Sequence, residues 1–379
     1  MKPFEFATAA RILFGAGVVR QVPAAARSMG ARPLVVTGAS RERAEPLIRE
    51  LGSVAFATNG EPTLELIRRG TEAARDARCD VVVAVGGGSA IDAGKALAAM
   101  IANPGDPFEY LEVVGRGQPL AHAPVPLIAV PTTAGTGSEV TRNAVVASPE
   151  HKVKASIRSP LMLPRLAVVD PELTLTLPRA VTVSTGLDAL TQLIEPYVSA
   201  RANSMTDMIC AEGMRHAAVS LPRAYENGAD LEARTGMSWA SLLGGMALAN
   251  AALGAVHGFA APIGGMFDAP HGAVCAALLP SVMKVNVRAL RGRAANGDAI
   301  LRYEAIGRIL TGNNQATAED GLRWVSELCR KLEIPPLRTY GVRAEHIPDL
   351  VDKAAHASSM KGNPIVLTTD ELTEIASGA

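Results

Sequence analysis

A chain of 379 residues exceeds the size at which a single hydrophobic core stops growing, so two domains are expected. Hydrophobic residues make up 48%, which excludes wholesale disorder. The 37 Lys plus Arg balance 37 Asp plus Glu, leaving no net charge to draw nucleic acid or an anionic membrane. Cys79, Cys210, Cys275 and Cys329 are far apart and form no Cys-x-x-Cys pair, which argues against a disulfide framework or zinc ribbon and fits a reducing cytoplasm. The opening MKPFEF carries an early Glu5 and no apolar run, so no secretion signal is read there.

Along the front half, short β-branched runs alternate with helical stretches. The runs are Leu34 to Thr37, Asp80 to Val85, Leu127 to Val130 and Leu166 to Val169; helices are expected over 42–51 and 63–77. The runs are apolar throughout rather than alternating, as parallel strands covered on both faces must be. This predicts a doubly wound α/β domain over residues 1–180 that binds its ligand at the carboxyl ends of the strands. Beyond Pro178 the β-branched runs stop. Ala/Leu-rich segments at 184–201, 204–225, 231–260, 270–290, 298–311 and 317–332 predict an all-helical domain over 181–379, with the cleft between the halves as the natural site.

Two loops at strand ends carry chemistry. Gly86-Gly87-Gly88-Ser89 runs from one strand straight into a helix, where small residues and free N–H groups suit a pyrophosphate; the bland alternative is a tight strand–helix turn. Asp92 and Lys95, at i,i+3, read as a pair on that helix. Pro131 to Glu139, with Thr132 and Thr133, clusters hydroxyls and flexible backbone at a second strand end. Together the two loops match the two halves of a dinucleotide better than either does alone.

A third constellation suggests metal. Asp188 and Gln192 lie one helical turn apart on one face, and His257 and His271 sit beside glycines far downstream. A helix start after Pro270 disfavours imidazolium, so His271 is expected neutral and free to bind a cation. The stretch from 235 to 267 has no Asp, Glu, Lys or Arg. Its seven glycines, Asn250, His257 and Pro262 argue for a buried helix near a site rather than a membrane span.

GGGSAIDAGK (86–95), PTTAGTGSEVT (131–141), VVDPEL (168–173), GLDAL (186–190) and PHG (270–272) together make the chain resemble the iron-containing alcohol dehydrogenases, whose fold is dehydroquinate synthase-like. The resemblance runs from Phe14 to the tail around Pro364. It implies an NAD- or NADP-binding domain, a helical metal-binding domain, and hydride transfer between nicotinamide and a small alcohol or aldehyde. By the same resemblance Gly87, Gly88 and Ser89 meet the pyrophosphate, Thr132 and Thr133 lie along the cofactor, and Lys154 reaches the nicotinamide ribose. The metal ligands fall at Asp188, Gln192, His257 and His271. A soluble cytoplasmic homodimer is implied, with no nucleic-acid or membrane partner.

Two positions depart from the family pattern. Gln192 stands where the family has His, and Ala261 stands where it has a further His near the nicotinamide. Asp188 with two imidazoles still suits zinc, and accepts Fe²⁺. Loss of one imidazole should cost roughly 3 kcal/mol, a hundredfold in occupancy, so a loosely held metal is expected. Thr37 to Arg41 lacks the acidic residue that would meet an adenosine ribose, leaving NAD against NADP open; Ser40 and Arg41 are candidates for a 2′-phosphate. The alternatives are a maleylacetate reductase-like enzyme acting on a carbon–carbon double bond and a nucleotide-binding relative with decayed catalysis.

Overall fold

The four apolar runs all form strands. In chain order the front half contains β1 (Ile12–Phe14), α1 (Val22–Met29), β2 (Pro33–Thr37), α2 (Glu45–Leu51), β3 (Val54–Ala57), α3 (Leu64–Asp76) and β4 (Val81–Gly86). Then follow α4 (Gly88–Ala102), α5 (Pro107–Tyr110), β5 (Leu127–Pro131), β6 (Asn143–Ser148), β7 (Val153–Arg158) and β8 (Leu166–Val169). The computed structural model describes residues 3–151, 153–267 and 269–379; Met1, Lys2, Lys152 and Asp268 lie outside the described residues. The chain divides into two units, Ala7–Thr176 and Leu177–Ala379, the second taking in residues 3–6.

Six strands form a parallel sheet in the order β1-β8-β5-β4-β2-β3. Alternate residues of each central strand serve opposite faces. Leu34, Val36, Val82, Ala84, Leu127 and Ala129 join the core under α3 and α4. Val35, Val83, Val85, Ile128 and Val130 join the core on the other face, with α1 and α2. Both faces are therefore dry, which is why these strands read as unbroken apolar runs. The pair β6–β7 is a separate antiparallel hairpin that the apolar-run criterion does not detect. Its strand β6 alternates half-buried and buried residues, the pattern of a strand with one covered face.

The second unit holds α6 (Arg179–Val198), α7 (Ser204–Glu226), α8 (Leu231–Ala251), α9 (Ala255–Met266) and α10 (His271–Arg293). After these come α11 (Asp298–Thr311), α12 (Ala318–Lys331), α13 (Ile347–His356) and α14 (Thr369–Ser377). Asn203, Thr317 and Thr368 start α7, α12 and α14 with reciprocal side-chain caps, and Asp230 caps α8.

The helix expected over 231–260 is instead two, α8 and α9, bent by 98°. Between them Ala252 adopts φ 61°, ψ −177°, a region populated almost only by glycine, at a cost of about 1–3 kcal/mol. The uncharged stretch therefore turns a corner within the unit. Among the described residues, the single helix long and apolar enough to cross a membrane is α10, and most of it is buried, as in a core helix.

Candidate active site

In the α/β unit, β4 and β5 are hydrogen-bonded neighbours with Gly86 level with Pro131, so the loops that follow them emerge side by side. The Thr132 N–H donates to the Gly86 carbonyl at 2.9 Å. Gly87 caps α4 without any side-chain hydrogen bond, and while the Ala90 N–H donates to the Gly87 carbonyl at 3.0 Å, the Gly88 and Ser89 amides at the start of the helix are placed for a ligand. A Cβ on Gly88 would come within 2.9 Å of the Thr136 side chain, so glycine there lets the two loops pack closely. Gly87, Gly88, Ser89, Thr132 and Thr133 are thus brought together. Lys154 lies on β7, and its ammonium sits 3.4 Å from Glu61.

The loops are held by a buried polar clamp. Lys95, 1% exposed, donates to Ser138 Oγ (2.7 Å), Thr141 Oγ1 (2.7 Å), the Asn143 carbonyl (2.8 Å) and Asp92 Oδ1 (3.3 Å). Asp92 also accepts from Ser138 Oγ and from the Val145 N–H. The expected i,i+3 pair on the helix is present, and it also ties α4 to the second loop. Burial weakens the charge on both partners, and their pairing offsets that in part.

In the helical unit, α6 supplies Asp188, Gln192 and Glu195, α9 supplies His257 near its start, and α10 begins at His271 with Pro270 in the cap position. A Cβ on Gly272 would collide with the Ser184 carbonyl, so glycine there lets the start of α10 close on α6. His257 Nε2 lies 3.5 Å and His271 Nε2 3.7 Å from Asp188 Oδ1. The thiol of Cys275, one turn past His271, lies 3.8 and 3.7 Å from the same two ring nitrogens. All four donor atoms fall within 4.8 Å of one another. Gln192 is buried beside them and hydrogen-bonds the Asp188 carboxylate.

Glu195 completes the arrangement. One carboxylate oxygen pairs with His257 Nδ1 at 2.7 Å, and the other accepts the Val256 N–H at 2.6 Å. His257 Nε2 is thereby left facing Asp188, the carboxylate–histidine pattern that orients metal ligands.

Electrostatics follow from this crowding. Burial by itself would push the Asp188 carboxyl up, yet His271, His257 and Gln192 hold it below the usual carboxylate range. Likewise burial would raise the Cys275 thiol, and His271 and His257 reverse this and lower it. Cys79, Cys210 and Cys329, by contrast, are raised by burial, Cys329 to about 12. The expectation of a neutral His271 does not hold for the metal-free cluster. Cys275 raises it to about 9, against burial and with help from Asp188.

The donor set fits a divalent cation. A tetrahedral ion with bonds of about 2.1 Å to N and O and about 2.3 Å to S spaces its ligands roughly 3.4–3.6 Å apart, close to the 3.5–3.8 Å between the two imidazoles and their Asp188 and Cys275 partners. Asp188 Oδ1 is buried and accepts no hydrogen bond, an orphaned lone pair that a cation would satisfy. Sequence reasoning assigned no role to Cys275 or Glu195. Helical spacing could have found both: Cys275 is four residues from His271, and Glu195 is seven from Asp188 and three from Gln192.

Comparison with known proteins identifies the family. Residues 9–171 match the family model described as iron-containing alcohol dehydrogenase, and residues 182–379 match that of the Fe-containing alcohol dehydrogenase family, C-terminal. The chain is 35% identical to alcohol dehydrogenase 4 of Saccharomyces cerevisiae strain YJM789, over 88% of this chain and 85% of that protein. It is 32% identical to the NAD-dependent methanol dehydrogenase of Bacillus methanolicus, over 97% of each. The crystal structure of a 1,3-propanediol oxidoreductase superposes with a TM-score of 0.91 at 32% identity, over 99% of each chain.

Proposed function

Since the chain belongs to the iron-containing alcohol dehydrogenase family, and so interconverts an alcohol with an aldehyde or ketone by metal-dependent, NAD(P)-linked hydride transfer, we propose which residues carry the reaction. Asp188, His257 and His271 hold the cation. The observation that carries this is the buried Asp188 Oδ1, without a hydrogen bond and faced by two imidazole nitrogens. When bound, the cation supplies Lewis acidity toward an alcohol or carbonyl oxygen, and the nicotinamide accepts or returns hydride.

The chain's own groups bind and orient. Glu195 takes the Nδ1 proton of His257 in a hydrogen bond and so fixes the ring with Nε2 toward Asp188. Gly87, Gly88 and Ser89 offer first-turn amides of α4 to the pyrophosphate, Thr132 and Thr133 lie along the cofactor, and Lys154 serves the nicotinamide ribose. Ala261 is exposed and carries no titratable group, so protons exchange with water rather than through a side chain at that position. The cofactor is read as NAD. Arg41 is turned to Glu45 at 3.1 Å rather than left for a 2′-phosphate, and the Bacillus methanolicus relative is named NAD-dependent.

A panel of short alcohols and aldehydes with both cofactors tests the reading. Turnover should favour NAD(H) in kcat/KM, vanish on chelation and return with a divalent metal. Metal-replete protein that turns over nothing with either cofactor would overturn it.

A further inference from the structure

We infer that Cys275 is a fourth metal ligand, so that this chain presents an Asp/His/His/Cys donor set in place of one completed by Gln192. The inference rests on the reading of Asp188, His257 and His271 as the cation site.

Three observations support it. First, the thiol is placed as a ligand would be: its distances of 3.8 and 3.7 Å to His257 Nε2 and His271 Nε2 are close to those from Asp188 Oδ1 to the same nitrogens, 3.5 and 3.7 Å. The four atoms form one group within 4.8 Å. Second, the group surrounds a polar atom with no hydrogen bond, Asp188 Oδ1, on a residue 1% exposed. A cysteine hydrogen-bonded merely to the two imidazoles would leave that oxygen unsatisfied, whereas a shared cation satisfies all four. Third, the helical spacing is right. Cys275 follows His271 by one turn of α10, and side chains at i and i+4 stack on one face. Gln192, one turn past Asp188, hydrogen-bonds the Asp188 carboxylate through its amide nitrogen; its Oε1 accepts no hydrogen bond and is the competing donor that the variants below separate from Cys275.

The chemistry changes accordingly. A thiolate is a soft, charged donor, and with one carboxylate it brings the donor set to two negative charges. Sulfur with mixed nitrogen and oxygen selects zinc over iron more strongly than an amide oxygen would. The loose metal expected from loss of an imidazole at Gln192 is then replaced by a tightly held one.

The test begins with the wild-type protein loaded with zinc. X-ray absorption at the zinc edge should show one sulfur neighbour at about 2.3 Å; a shell of nitrogen and oxygen alone overturns the inference without recourse to any variant. In the cobalt-substituted protein a thiolate-to-cobalt band in the near ultraviolet should be present, lost in Cys275→Ser and kept in Cys329→Ser. Zinc affinity, read by chelator competition, should fall about a hundredfold in Cys275→Ser and change far less in Gln192→Ala; the reverse order overturns the inference. A separate Asp188→Ala variant distinguishes the two claims. If it loses metal while no sulfur signal exists in wild type, the inference alone fails. If it retains metal fully, the underlying site reading fails.

Discussion

Two buried charged clusters in this molecule look alike in composition and differ in how their atoms are satisfied. Around Lys95 every donor finds an acceptor: Asp92, Ser138, Thr141 and the Asn143 carbonyl surround the ammonium at 2.7–3.3 Å. Around Asp188 the donors face one another across 3.5–3.8 Å, and one carboxylate oxygen accepts no hydrogen bond. The first pattern is complete without a ligand and fixes two loops. The second leaves that oxygen for the cation proposed above. Burial of charge alone therefore does not mark a binding site; unsatisfied lone pairs converging on one another do.

That contrast can be broken most forcefully at Lys95. Lys95→Met removes the clamp's cation and leaves Asp92 with no charged partner. It should destabilise the chain by about 3–5 kcal/mol in urea unfolding while zinc content per folded chain stays unchanged. Loss of metal with unchanged stability would erase the distinction between the clusters.

Glu139, next to the clamp, sharpens it through pH. Burial pushes its carboxyl up to about 7, with its own N–H and Lys95 pulling the other way. Its folded value lies above the ordinary one, so the native state holds the proton more tightly. This stabilisation is fully present below about pH 4.5 and is lost as pH rises through 7, on the order of 3 kcal/mol in all. Glu139→Gln should match wild type near pH 5 and exceed its stability at pH 8. A constant difference across that range would remove the buried acid from the account. A smaller effect is expected at Glu195: Glu195→Gln should weaken zinc binding 10- to 100-fold by loosening His257, with the fold intact by circular dichroism. No change in affinity would make Glu195 a mere cap of α9.

How much was legible in the sequence follows from the same physics. Strands dry on both faces declare themselves as apolar runs, so β2, β4, β5 and β8 were readable, as were loops whose residues are contiguous. The β6–β7 hairpin was missed because one covered face gives alternation rather than a run. No proline or charge marks the corner between α8 and α9; it depends on Ala252 in a strained conformation pinned by its surroundings. Asp188, His257 and His271 were singled out by helical spacing and flanking glycines, but residues from three helices share no local pattern, so only the family motifs joined them as one ligand set. Cys275 and Glu195 went unassigned although each repeats the helical period from a residue already singled out. Gln192, named as a ligand from its place in the motif, lies buried beside Asp188 and hydrogen-bonds its carboxylate, while its own Oε1 accepts no hydrogen bond.

The most direct test of the central claim is metal content per chain in wild type and Asp188→Ala, purified side by side and measured by elemental analysis. The account predicts about one divalent cation in wild type and none in the variant, with both proteins folded. Equal content in the two would contradict it.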